Sequence, residues 1–161
     1  LQGLPNSTVL RVPMVLGEGD YASRALLANA RKRFALTFRA SSLEQPIYAG
    51  DVIAALGILL VQPIPGVLEL GGPESLSRRA LIQRCAQVGT GRTPAVISLP
   101  VGLGYALAGL FELFMDSPPV TRAMLGLLDH DDQIESATSA QLNLTLTPLD
   151  ELCRRIGEAA Q

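Results

Sequence analysis

The chain has 161 residues, enough for one domain with a real core and hardly for two. It is 48% hydrophobic but only 4% aromatic, so aliphatic side chains must build that core. A net charge of −2 supplies no basic field, which argues against nucleic acid as a partner.

In chain order, the first element is "TVLRVPMVL", Thr8 to Leu16. It is an almost continuous β-prone apolar run, broken by Arg11 and stopped by Gly17, Gly19 and Asp20. Such a run suits a strand buried on both faces of a parallel sheet. So few residues precede it that its neighbours must come later, or the chain is the back part of something longer. Residues 21–33 read as a helix capped by Asp20, with Arg24, Arg31, Lys32 and Arg33 as a solvated basic face. "FALTFRA" follows as a short strand or extended connection.

"EQPIYAGDVIAALGILLVQ" predicts an extended stretch at 46–49, a turn at Gly50, and a helix over 52–61 capped by Asp51. That helix is apolar nearly all round and is therefore expected to be buried. A strand is predicted over 67–70, then a stop at Gly71-Gly72-Pro73. Ser77 caps a helix over 78–88, closed by Gly89 and Gly91, and "AVISLP" is a further strand. The remaining pattern predicts helices over 101–115 and 121–128, an acidic loop "DHDD", and a closing helix with Thr147 as cap and Pro148 at its first position. The 101–115 segment carries Glu112 and is too short to span a bilayer, although its apolar side leaves a weak expectation of membrane-surface contact.

Cys85 and Cys153 lie far apart in helical patterns and read as small buried residues, not as a disulfide or a metal site, which points to a reducing compartment. His130 among surface acids reads as a solvated loop, so no metal ligand is expected. No serine sits in a nucleophile-elbow glycine pattern.

Four stretches in one register carry a resemblance: "TVLRVPMVLGEGD", "QPIYAGDVIAAL", "GVLELGGPESLSRRALIQ" and the tail pair "PPVTRAMLGLL" with "LTPLDELCRRI". Together they resemble the C-terminal half of an extended or atypical short-chain dehydrogenase/reductase. They are closest to the NAD(P)-binding epimerase/dehydratase group and to relatives near the nucleotide-binding accessory subunit of respiratory complex I. The resemblance implies an α/β fold: the last two strands of a Rossmann-like parallel sheet plus a mostly helical, substrate-side subdomain. The expected division is 1–75 for the sheet remnant and 76–161 for the helical part, in one compact unit, with a cytoplasmic location.

What the family needs and this chain lacks is equally informative. No glycine-rich strand-turn-helix for a cofactor pyrophosphate occurs, and "GEGD" has only half the spacing. The family's Tyr-x-x-x-Lys pair is absent, because Tyr21, Tyr48 and Tyr105 are followed four residues later by Ala25, Val52 and Gly109. No catalytic residue is therefore nominated. NAD or NADP is expected in the parent protein, without tight binding to this chain alone, and the implied partner is a missing N-terminal nucleotide-binding half.

By resemblance, Val12, Pro13, Met14 and Val15 would line the nicotinamide end of the cofactor, although Val12 and Leu16 depart from the family's Pro and Tyr. Gln45, Pro46 and Tyr48 would face the substrate cleft. Sugar-nucleotide members place an arginine before the "DVA" helix. Here "SSLEQP" has Glu44 and no arginine, which tilts the expected substrate toward an apolar small molecule. Two functions stay open: the substrate-side portion of an oxidoreductase or epimerase, or a non-catalytic nucleotide-binding or lipid/quinone-associated accessory protein of the same fold.

Overall fold

The computed structural model describes residues 7–100, 102, 104, 134 and 137–160. Its strands are β1 (Thr8–Arg11), β2 (Val15–Leu16), β3 (Phe34–Phe38), β4 (Leu43–Glu44), β5 (Ile47–Tyr48), β6 (Gly66–Glu69), β7 (Leu76–Ser77) and β8 (Ala95–Leu99). The helices are α1 (Tyr21–Ala30), α2 (Ala49–Val61), α3 (Arg78–Thr90), α4 (Thr138–Gln141) and α5 (Leu149–Glu158).

β1 and β6 are parallel neighbours, with Thr8 opposite Gly66 and Arg11 opposite Glu69. That is the pairing the sequence requires, since a parallel pair needs a crossover and α2 lies between the two strands. The single long strand expected over 8–16 is interrupted. Pro13 has no N–H to give a ladder, so the chain jogs after Arg11 and resumes as β2, which pairs with β5 and not with β6. β3 and β8 form a second parallel pair, and β4 and β7 a short antiparallel one.

Helix ends follow local chemistry. The Asp20 carboxylate accepts from the Ser23 amide and caps α1, and the Ser77 hydroxyl accepts from the Ala80 amide and caps α3. Gly91, in the left-handed region at φ 67°, closes α3. Two expected caps are corrected. α2 starts at Ala49, not Val52, so Asp51 lies in its first turn and its carboxylate instead accepts from the Thr147 amide and hydroxyl, at 2.7 and 2.9 Å. Thr147 is thereby drawn away from α5, whose N-cap residue is Pro148.

A second correction concerns the cysteines. Cys85 and Cys153 form a disulfide, with Cα atoms 5.0 Å apart and a sequence separation of 68. Each lies on the inward face of its helix, and α3 packs against α5 so that the two sulfurs meet among Ala30, Leu81, Ala86 and Leu149. Unpaired buried thiols are therefore not what this fold contains.

The third correction is α2, expected to be buried all round. Ala55 and Leu59 are buried against Ile47, Leu68 and Leu70, but Ile53, Leu60 and Val61 are 68%, 85% and 79% exposed. Val9, Leu10, Val12 and Val15 are half-buried. Among the described residues no helix is long and apolar enough to cross a membrane. The helices expected over 101–115 and 121–128, and His130, lie outside the described residues except for Gly102 and Gly104, which are helical.

Candidate functional site

In doubly wound sheets, ligands bind outside the carboxyl ends of parallel strands. Here the carboxyl ends of β1 and β6 lead into residues 12–14 and 70–72. The Leu70 amide donates to the Arg11 carbonyl at 2.9 Å, and the Ile47 amide donates to the Met14 carbonyl at 3.0 Å. Those two bonds bring the nominated cofactor segment, Val12 to Val15, beside the nominated substrate turn at Gln45, Pro46 and Tyr48. The seven residues come from segments about 30 positions apart, and the fold makes them neighbours.

Their roles within that cluster differ. Gln45 and Pro46 are buried. The Gln45 side-chain amide donates to the Gly72 carbonyl at 2.9 Å, and its oxygen accepts from the Ile134 amide at 2.7 Å. Both ends of the amide are thus engaged by backbone, so Gln45 fixes the turn. Gly72 has to be glycine, because a Cβ there would come within 1.8 Å of the Pro46 carbonyl oxygen. That close approach is a physical reason for the "GGP" stop and ties the 70–73 loop to the 45–46 turn.

Tyr48 is different: it is half-buried, and its hydroxyl donates to the Glu18 carboxylate at 2.7 Å. The Arg155 guanidinium lies over its ring, 5.1 Å from the centroid, a cation–π distance. A hydrogen bond to Glu151, joined by contact with Tyr48, raises the Arg155 pKa above its ordinary value, so the cation is held charged. Beside Tyr48, Gly50 leaves the room the ring occupies, since a Cβ there would lie 2.3 Å from a ring carbon. Phenol, carboxylate and guanidinium thus converge from three segments on the solvent side of the cluster. Sequence reading found Tyr48 but neither partner. Glu18 was visible only as part of a defective glycine motif, and no local signal links Arg155 to a residue 107 positions away.

Met14 contributes differently again, packing on two core clusters that contain Leu16, Leu27, Leu152 and Ile156 on one side and the disulfide on the other. α5 is therefore the platform under both Met14 and Tyr48. Glu44, in the segment before α2, is buried and accepts from the Arg78 side chain at 2.7 Å, while Arg78 also donates to the Phe38 carbonyl. The pair is desolvated, so its charges are directed at protein partners.

No protein-family model and no characterised protein sequence matches the chain. Solved structures do. The human epimerase family protein SDR39U1 (isoform 2), determined with NADPH, superposes with a TM-score of 0.68 at 23% identity, over 94% of this chain and 48% of its own. A UDP-N-acetylglucosamine 4-epimerase from Bacillus cereus matches with TM-score 0.64 at 14% identity, over 94% and 47%. TunA, an NAD-dependent NDP-hexosamine 5,6-dehydratase of tunicamycin biosynthesis, matches with TM-score 0.64 at 17% identity, over 98% and 46%. The chain thus spans about half the length of the structures it resembles. Its fold is that of about half of these Rossmann-like epimerase and dehydratase structures.

Proposed function

We propose that this chain is the substrate-side, C-terminal portion of an NAD(P)-dependent oxidoreductase or epimerase-like protein, and that it acts only when a nucleotide-binding half covers its open flank. The observation that carries this reading is the cluster at the carboxyl ends of β1 and β6, set near the exposed apolar residues Ile53, Leu60 and Val61 of α2. Residues 1–75 then supply the end of the sheet and 76–161 the helical wall of the cleft.

Val12, Pro13, Met14 and Val15 are half-buried and uncharged, which suits the flat nicotinamide end of the cofactor. They carry nothing to hold a pyrophosphate, which falls to the helix N-terminus of the other half. When bound, the cofactor supplies hydride transfer. This chain's contribution is to wall the ring, exclude water with Met14 and Val15, and present the Tyr48 hydroxyl, oriented by Glu18, toward the substrate. The absence of an arginine from "SSLEQP", with Glu44 paired to Arg78, favours an apolar substrate over a nucleotide sugar.

Calorimetric titration with NADPH tests the reading, on the chain alone and on the chain joined to a nucleotide-binding half. Affinity is expected only for the joined form, and Met14→Lys is expected to reduce it at least tenfold. Micromolar affinity of the isolated chain, or indifference of the joined form to Met14→Lys, would overturn it.

A further inference from the structure

A second concave site lies at the amino ends of β3 and β8, away from the carboxyl-end cluster described above. There the turn after α1 and the turn after α3 run side by side, joined where the Ala95 amide donates to the Arg33 carbonyl at 3.1 Å. Between them is a hollow of about 390 Å³ whose rim carries Arg31, Lys32, Arg33 and Arg92. Its remaining lining is Ala30, Thr90, Thr93 and Pro94, so among the described residues no carboxylate lines it.

This gathering runs against the charge of the chain, which is net negative. Five cations elsewhere are paired with carboxylates: Arg11 with Glu69, Arg78 with Glu44, Arg84 with Asp150, and Arg154 and Arg155 with Glu151. Around the hollow, Arg31 donates to the Ala160 carbonyl, Lys32 to the Asn29 side chain, and Arg33 stacks over Phe34 at 5.6 Å. Among the described residues none of the four meets a carboxylate.

Part of the clustering has a local cause. α1 and α3 both end here, and each helix C-terminus carries about half a negative charge. Together those ends offset about one of the four positive charges, leaving a field of about three. The threonine hydroxyls are committed as donors, Thr90 to the Ala86 carbonyl and Thr93 to the Gln87 side chain. Binding therefore falls to the cations, and the planar forks of three arginines match phosphate oxygens two at a time. A hollow of this volume lies within the range of small-molecule sites.

We propose that this hollow binds a small molecule bearing two or more phosphates. Inorganic pyrophosphate is the probe. Titration at low ionic strength is expected to saturate at one site per chain and to weaken steeply with added salt, as charge-driven binding must. Arg92→Glu is expected to lower affinity at least tenfold. Arg24→Glu makes the same change in net charge on α1 outside the hollow, and is expected to change it less than twofold. Both positions are exposed, so both variants keep the native circular dichroism.

A free polyphosphate and a phosphorylated lipid headgroup share this chemistry. Phosphatidylcholine vesicles with and without phosphatidylinositol bisphosphate separate them. Retention on the phosphorylated vesicles that disappears in Arg92→Glu assigns the headgroup; retention on neither, with pyrophosphate binding intact, assigns the free anion. Absence of pyrophosphate binding, or equal loss in Arg24→Glu and Arg92→Glu, would overturn the proposal by showing diffuse charge and not a site.

Discussion

Two regions of this molecule are built from the same kinds of residue and end in opposite states. Around α3 and α5, Leu81, Cys85, Ala86, Leu149, Leu152 and Cys153 are all buried, a disulfide joins the helices, and the Arg84–Asp150 ion pair spans them on the outside. Around α2, β1 and β6, only the inward residues are covered, and Leu60, Val61, Ile53 and Val67 face water. The first region is closed by its own chain. The second keeps an apolar face exposed among the described residues, and under the proposed function that face docks the nucleotide-binding half.

The largest effect should come from opening the closed region. Reducing Cys85–Cys153 frees a loop of 68 residues, and the chain-entropy relation assigns such a closure about 4 kcal/mol. That is comparable to the whole stability of a marginal domain. Thermal unfolding with and without dithiothreitol should show a large drop in Tm on reduction. An unchanged Tm would mean that packing alone holds α3 to α5, and the two regions would differ less than argued here.

A pair of leucines compares the regions directly. Leu152, fully buried under Met14 and Tyr48, should cost about 2–5 kcal/mol on truncation to alanine. Leu60 on α2 is 85% exposed, and Leu60→Ser should move stability by no more than about 0.5 kcal/mol. Denaturant titration of both variants checks this. Under the proposed function the same Leu60→Ser should impair docking of a nucleotide-binding half. A large loss of stability in Leu60→Ser would mean that α2 is covered within the chain.

The sequence made the closed architecture legible in outline and the contrast hardly at all. The β1–β6 pairing, the Asp20 and Ser77 caps and the β3 and β8 strands follow from local patterns of apolar and turn residues. The seven nominated site residues do come together, since strand order carries them to one end of the sheet. The misses are long-range. Nothing near Cys85 points to Cys153, nothing near Tyr48 points to Arg155, and the apolar pattern of α2 cannot say which neighbour covers it. Periodicity reports which residues avoid water, and not whether the chain supplies the cover.

Asp51 links the regions, because it lies on open-side α2 and holds Thr147 at the start of α5 through two hydrogen bonds. Asp51→Ala removes a buried charged acceptor and strands an amide, so it should cost about 1–3 kcal/mol. The loss should concentrate in faster hydrogen exchange at the Thr147 amide and the first turn of α5. A loss of similar size spread evenly over the chain would assign Asp51 a general role and not a linking one.

The smallest effect is also the most local, and it is read by pH. The Asp20 carboxylate accepts from the Gly17 amide at 2.6 Å and from the Ser23 amide and hydroxyl at 2.8 and 2.6 Å, tying α1 of the closed region to the end of β2 beside the candidate site. Burial alone would raise its pKa, but the Ser23 hydroxyl, with the Ser23, Gly17 and Ala22 amides, outweighs that and holds it below the ordinary value of 3.8. A depressed folded pKa means that the charged form stabilises the fold. That contribution is fully present above the unfolded value and is lost as pH falls below about 4 through the folded value. Asp150 and Glu151 shift in the same direction, the first lowered by Arg84 and the second held at about 2 by Arg154 and Arg155. Both pairs face solvent, where ion pairs contribute little. Asp20→Asn separates the contributions, since it keeps the shape of the cap and removes the titration. It should leave stability at pH 7 within about 1 kcal/mol of the native chain, while making the first turn of α1 insensitive to acid. If hydrogen exchange at the Ser23 amide still accelerates below pH 4 in Asp20→Asn as it does in the native chain, the acid response originates on α5, and the cap is not what binds the two regions at this point.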